Sequence, residues 1–264
     1  PRMTTVKEII DAIYDFAPLS LQESYDICGL QTGDPDMAST GELLAVDMTE
    51  ELLDEAIGLG FNTILTHHPL IFGGIANVTL SHPAGRIVMK AVKHDIAIIS
   101  AHTNIDKAYR GVSYRMGSKL GLRDMRPLAE ANDACGTGLG VIGLLPEAIA
   151  TDEFLRTVKE VFGCGCLRHT VPSHEKANVV ALCGGSGSSF ISDAIDAGAD
   201  IYISADFKYH DFFAADGKIT LADAGHFETE RCTIDIFYDI LTKKFTNFAV
   251  RQTSTYTNPV IYLH

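Results

Sequence analysis

Apolar residues recur along the chain in two rhythms, one at spacings of three and four and one in short unbroken runs, which predicts helices interleaved with buried strands. Thr5-x-x-Glu8 forms a capping box, and Val6, Ile9, Ile10, Ile13 and Ala17 follow at helical spacing. A first helix is therefore predicted from about Val6 to Phe16. Leu43–Val46 reads as a buried strand, Glu50–Leu59 as a helix capped by Thr49 and closed near Gly60, and Thr63–Thr66 as the next strand. Ala84–His94 then reads as a helix and Ile96–Ala101 as a strand. The pattern pauses around Arg126-Pro127 and resumes at Gly140–Leu145. A helix at Asp152–Phe162, strands near Leu167–Val171 and Val179–Cys183, a helix at Ser189–Ala197, a strand at Ile201–Ser204 and a short helix at Tyr209–Ala215 follow. Leu221–Asp223 and one long amphipathic helix from about Phe227 to Phe245 lead into a closing strand at Asn247–Gln252. Such alternation with short connections indicates βαβ units: an α/β fold of mostly parallel sheets covered on both faces.

An internal echo runs through this pattern. Ala56-Ile57-x-Leu59-Gly60 aligns with Ala194-Ile195-x-Ala197-Gly198, and a strand follows each, ending in Thr66-His67-His68 and in Ser204-Ala205-Asp206. Two explanations compete: a duplicated α/β half, or two ordinary helix–strand junctions closed by glycine.

Composition narrows the classes. With 46% hydrophobic and 21% charged residues in 264, a disordered or fibrous chain is excluded. The net charge of -13 argues against nucleic acid held by the overall field, because backbone binding needs a cationic face. No apolar run approaches the ~18 residues of a spanning helix, so no membrane is expected as partner. Six cysteines are too sparse for a disulfide scaffold, and Cys164-Gly165-Cys166 lacks the second pair of a zinc knuckle. With no signal peptide at the N-terminus, the expected location is the reducing cytoplasm.

The candidate chemistry lies at predicted strand ends. Thr66-His67-His68-Pro69 closes one strand, His102-Thr103-Asn104-Ile105-Asp106 the next, and Asp223-Ala224-Gly225-His226-x-x-x-Glu230 follows a third far along the chain. Ligands of open parallel sheets gather at that edge. Adjacent strand residues point to opposite sides, so His67 and His68 could serve two neighbouring ions if the backbone turns there. The blander readings are an unrelated imidazole pair, an Asx turn around Asn104 and Asp106, and an intrahelical hydrogen bond from His226 to Glu230. Three independent clusters of imidazole and carboxylate favour a shared metal site over three coincidences. Cys183-Gly184-Gly185-Ser186-Gly187-Ser188-Ser189 is not a P-loop, lacking Gly-Lys-Ser/Thr; it is either an anion-holding turn or a tight strand-to-helix turn. Asp206, Lys208 and His210 close another strand end, facing substrate or lying in a solvated loop.

Together these motifs resemble the GTP cyclohydrolase 1 type 2 family, the NGG-interacting-factor-3-like dinuclear metal proteins, over nearly the whole chain. Glu23-Ser24-Tyr25-Asp26-Ile27-Cys28-Gly29-Leu30-Gln31 resembles the family's early segment, departing from it at Tyr25, Ile27 and Cys28. The chain resembles the short form, without the domain that longer members insert mid-chain. The resemblance implies two α/β lobes, a toroidal homohexamer and a two-metal site at strand C-terminal ends facing the interlobe cleft. The family pattern places the ligands at His67, His68, Asp106, His226 and Glu230, with Glu230 shared. The expected lobes are residues 1–127 plus 221–264, which brings His226 and Glu230 back to the other ligands, and 128–220.

The expected cofactors are two divalent ions per subunit, Zn, Mn, Fe or Co, about 3.5–4 Å apart, able to acidify water and polarise an electrophile. His102 and His210 are the candidates for moving protons. The family name implies hydrolytic opening of a purine nucleotide ring, so the expected partner is a small molecule such as a nucleotide. Two other classes stand beside this hydrolase: a metal-containing scaffold or regulatory protein without turnover, and a DNA-binding regulator, which the net charge disfavours.

Overall fold

The computed structural model describes residues 3–132 and 134–263. Backbone packing divides the chain into two compact units, Pro1–Ile105 with Thr233–Pro259, and Asp106–Cys232 with Val260–His264.

The first unit opens with α1 (Val6–Phe16), whose start is fixed by the capping box: the Thr5 hydroxyl accepts from the Glu8 amide, and the Glu8 carboxylate accepts from the Thr5 amide. Then come β1 (Gly29–Thr32), β2 (Glu42–Ala45), α2 (Glu50–Leu59), β3 (Thr63–Thr66), α3 (Pro83–Lys93) and β4 (Ala97–Ser100). Strands β2, β3 and β4 lie parallel and adjacent, with β1 antiparallel on β4. They read as unbroken apolar runs because both faces are covered: Leu43, Ala45, Ile64 and Ile98 pack under α2 and α3 with Leu52, Leu53, Ile87 and Ala91.

The second unit begins within α4 (Thr103–Lys107), followed by α5 (Val112–Lys119), β5 (Arg123–Asn132), β6 (Thr137–Ala150), α6 (Thr151–Phe162), β7 (Arg168–His169) and β8 (Lys176–Ser186). It continues through α7 (Ile191–Asp196), β9 (Ile201–Ala205), β10 (Thr220–Asp223) and α8 (His226–Glu230). Its sheet runs β5-β6-β8-β9-β10-β7. Strands β8, β9 and β10 are parallel, with the β5–β6 hairpin antiparallel on one side and β7 antiparallel on the other. The chain then returns to the first unit as α9 (Thr233–Lys244) and β11 (Val250–Gln252), the latter parallel to β2.

Two sequence expectations change. The pause at Arg126-Pro127 lies inside β5, an edge strand whose mostly exposed residues carry no apolar alternation and where a proline costs no central ladder bond. The single helix expected over Phe227–Phe245 is two, α8 and α9, interrupted at Arg231-Cys232. Only α9 buries an apolar face, with Ile236, Phe237 and Leu241 in the first unit, whereas α8 buries Glu228, Thr229 and Glu230 in the second.

The internal echo falls at matching places in two identical chain paths. Each unit contains, in order, a helix, a strand that ends up antiparallel at one side, and three adjacent parallel strands. In the first these are α1, β1, β2, β3 and β4; in the second α6, β7, β8, β9 and β10. Gly60 and Gly198 close the helix before the middle parallel strand of each, both with left-handed φ, 71° and 75°. Matching order and matching caps favour the duplicated half. No described helix is long and apolar enough to cross a membrane.

Candidate metal centre

The first unit gathers three imidazoles at the C-terminal ends of β3 and β4. The backbone turns after β3: the Thr66 hydroxyl donates to the His68 carbonyl at 2.7 Å, and the rings of His67 and His68 come to 4.9 Å between centroids. That turn overcomes the strand alternation that would have pointed them apart. His102, two residues beyond β4, lies 5.3 and 5.4 Å from the other two rings.

Each ring is oriented through Nδ1. That of His67 meets the Ala101 carbonyl at 2.9 Å, that of His68 the Asp47 carboxylate at 2.6 Å, and that of His102 the Asp26 carboxylate at 3.0 Å. A carbonyl or carboxylate oxygen only accepts, so each neutral imidazole carries its proton on Nδ1 and its lone pair on Nε2. This is how metal-ligating histidines are held. The three rings can each offer a ligand nitrogen within 4.8 Å of the others. Asp26 is itself fixed by the amide and hydroxyl of Thr103. Burial would raise its carboxyl, but the hydrogen bonds from His102 and Thr103 outweigh it and hold the group well below the usual range.

The second unit contributes a carboxylate-rich set. Asp106 and Glu230 offer oxygens within 4.8 Å of one another. Helix α8 places Glu230 one turn beyond His226, with Nε2 to carboxylate at 2.9 Å. The opposite nitrogen, Nδ1, donates to Asp206 at 2.6 Å, and the Ser186 hydroxyl donates to the same oxygen. Burial would lower the pKa of His226, but the two flanking carboxylates outweigh it and raise it to about 11. The protonated ring is thus itself the cation between the two carboxylates, and a divalent ion held by Glu230, only 3% exposed, would take the place of the proton on Nε2. Imidazole nitrogen and carboxylate oxygen are the donors that Zn, Mn, Fe and Co accept, so both sets fit divalent ions.

The glycine-rich run serves packing. The Gly184 and Gly185 amides donate to the hydroxyls of Ser113 and Thr229, the Gly185 carbonyl accepts from Ser204, and that of Gly187 from Tyr202. These contacts support the tight-turn reading. Gly185 has φ of +68°, and a Cβ there would lie 2.2 Å from a Glu230 oxygen; its bareness lets the carboxylate settle. Burial, then the charges of Asp106 and Glu230, push the adjacent Cys183 thiol up to about 12, which removes it as a nucleophile.

His210 stands exposed on the turn Tyr209–Ala215, its ring beside Tyr209 and Phe213, and no donor group among the described residues includes it. Sequence reasoning missed Asp47 as the partner of His68. Its signal was position, directly after Val46 at the same sheet edge as His67. Asp26 sits in an irregular loop with no periodic cue.

The sequence profile of Duf34/NIF3 (NGG1p interacting factor 3) matches residues 4–259. A Streptomyces coelicolor protein named GTP cyclohydrolase 1 type 2 homolog is 36% identical over 236 residues, 87% of this chain and 82% of its own. A Clostridium acetobutylicum protein of the same name is 34% identical over 229 residues, 85% of each chain. The crystal structure of a Staphylococcus aureus hypothetical protein superposes with a TM-score of 0.91 at 26% identity, over 99% of this chain and 100% of that one.

Proposed function

The chain belongs to the Duf34/NIF3 (NGG1p interacting factor 3) family, and from that premise we propose a dinuclear metal-dependent hydrolase whose ions are held by His67, His68, Asp106, His226 and Glu230. The observation that carries this reading is the common orientation of His67, His68 and His102, each bound through Nδ1 to an oxygen acceptor so that Nε2 bears the lone pair. Bound divalent ions supply Lewis acidity, polarising an electrophilic oxygen and acidifying water. Asp47 and the Ala101 carbonyl keep the rings of His68 and His67 in the ligand tautomer. Asp206 does the same for His226. His102 takes a proton at Nε2, and Asp26, ionised and buried, stabilises the imidazolium that results. The names of the Clostridium and Streptomyces relatives point to a purine nucleotide as substrate and ring-opening hydrolysis as the reaction. The family resemblance adds assembly as a homohexamer.

The test is metal analysis of the purified protein, then a turnover screen of metal-reconstituted protein against nucleotides, phosphoesters and cyclic amides. Two ions per chain and metal-dependent turnover are expected. Glu230→Gln, which keeps the shape but loses the charge shared by two ions, weakens both sites, whereas His67→Ala affects mainly one. Two tightly held ions with no turnover across the screen would favour the scaffold reading.

A further inference from the structure

In the first unit, one carboxylate of α2 gathers an unusual number of donors from the segment that follows β11. Glu55 Oε1 accepts from the amide and the hydroxyl of Ser254 at 2.9 and 3.0 Å. Its Oε2 accepts from the Thr253 hydroxyl, and from the amide and the hydroxyl of Thr255 at 3.2 and 2.7 Å. Burial would raise the Glu55 carboxyl, but the hydrogen bonds from Thr253, Ser254 and Thr255 outweigh it and bring it down to about 2, so the acceptor is ionised at neutral pH. Helix α2 does not need these bonds to stay in place, since Thr49 and Gly60 cap it and Leu52, Leu53 and Ala56 are buried. What the carboxylate fixes is the other partner. That partner, a strap over residues 253–258, forms neither helix nor strand. It starts where the Thr253 amide donates to the Leu44 carbonyl of β2 at 2.9 Å, and it ends in Thr257 and Asn258, both buried. Two residues past the end of β2 stands Asp47. The Thr257 hydroxyl donates to Asp47 Oδ2 at 3.3 Å, while Oδ1 holds His68 Nδ1 at 2.6 Å. The two oxygens of Asp47 therefore meet the strap on one side and the imidazole on the other.

We propose that this strap positions Asp47, and through it the His68 ring, with Thr257 as the contact and Glu55 as the latch. A carboxylate turns easily about its last bond, so the ring contact on Oδ1 alone leaves its plane loosely set. A donor on Oδ2 sets it. At 3.3 Å the Thr257 bond is long for O–H···O and restrains Asp47 only if the hydroxyl is itself held in place. The bonds on Glu55 supply that, two residues before the contact. A fixed Asp47 keeps the His68 proton on Nδ1 and the lone pair on Nε2. The consequence for a bound ion rests on the proposed function; the positioning of Asp47 and His68 does not.

The test uses the whole chain, first stripped of metal and then loaded. In the metal-free protein, NMR of isotope-labelled histidine reads the His68 tautomer, its signals assigned by their absence from His68→Gln. The wild type should show the proton on Nδ1. Thr257→Val keeps the side-chain shape and loses the hydroxyl; it and Glu55→Gln should each move the His68 signals toward a mixture of tautomers, and Thr257→Ser should restore the wild-type spectrum. Competition with a chromogenic chelator for Zn²⁺ should then show affinity about three- to tenfold lower in Thr257→Val, the scale of one hydrogen bond. In an Asp47→Ala background the same substitution should cost nothing, because its route to the ion is gone, whereas a general loosening of the fold would cost the same in both backgrounds. A His68 spectrum unchanged by Thr257→Val and Glu55→Gln, or an equal loss of affinity in both backgrounds, overturns the proposal. A wild-type protein that takes up no Zn²⁺ overturns the metal reading instead, and the tautomer result alone then decides the role of the strap.

Discussion

Single side chains in the first unit do work that no motif announces. Glu42 opens β2 with its carboxyl fully buried and no charged partner beside it. Burial pushes its pKa up to about 8, the Thr63 hydroxyl offsetting only part. The native state therefore holds a proton that the unfolded chain releases at the ordinary glutamate value, and stability falls as pH rises from about 4.5 to about 8, then levels. Glu42→Gln removes that dependence. Its Tm should exceed the wild-type value at about pH 9 and lose the advantage near pH 5, and a difference that stays flat with pH would reject a neutral Glu42. Asp47 acts through another residue. With Asp47→Ala the His68 ring loses its acceptor, so competition with a metal chelator should show affinity lower by about 10–100-fold while thermal unfolding of the metal-free protein changes little.

At the level of elements, legibility followed burial. Strands β2, β3, β4 and β9 were readable because each is covered on both faces and bounded by turn residues, and α1 and α2 because their caps are written in the sequence as Thr5-x-x-Glu8 and Thr49 with Gly60. β1 and β5 escaped, being short or exposed and paired only through distant partners, Ser100 for Gly29 and Val141 for Pro127. The residues of the possible donor groups, His102 among them, lie in the strand-end clusters visible in the sequence; the carboxylates that orient His68 and His102 could not be named as such, since Asp47 and Asp26 act from loops closed by tertiary structure. The close approach of β8's end to α8 was equally invisible and gives its own prediction. A Cβ on Gly185 would meet Glu230 at 2.2 Å and His226 Nε2 at 3.2 Å. Gly185→Ala should therefore displace the carboxylate and lower metal content, with far-UV circular dichroism retained. Full metal occupancy in that variant would show that Glu230 does not need the space.

On the scale of the whole molecule, charge and exposed surface pull in opposite directions. A net charge of -13 on each 28.6 kDa chain makes copies repel, and salt weakens that repulsion. Against it stands an apolar face of the second unit. Tyr209 and Phe213 are 73% and 67% exposed, and with Phe212, Arg168 and His169 they line a groove of about 420 Å³. β7 is an edge strand of only two residues, which leaves backbone groups beside that groove open to another chain. Exposed aromatic surface of this kind marks association sites. If the homohexamer implied by the family forms, light scattering at micromolar concentration should give about six times the chain mass. The assembly should persist or tighten as salt rises, because apolar contact survives screening while the repulsion does not. Phe213→Glu should shift the mass downward without altering metal content, since Phe213 belongs to neither donor set. A single-chain mass at both low and high salt would remove the hexamer, and a Phe213→Glu protein that still assembled fully would move the interface to another face.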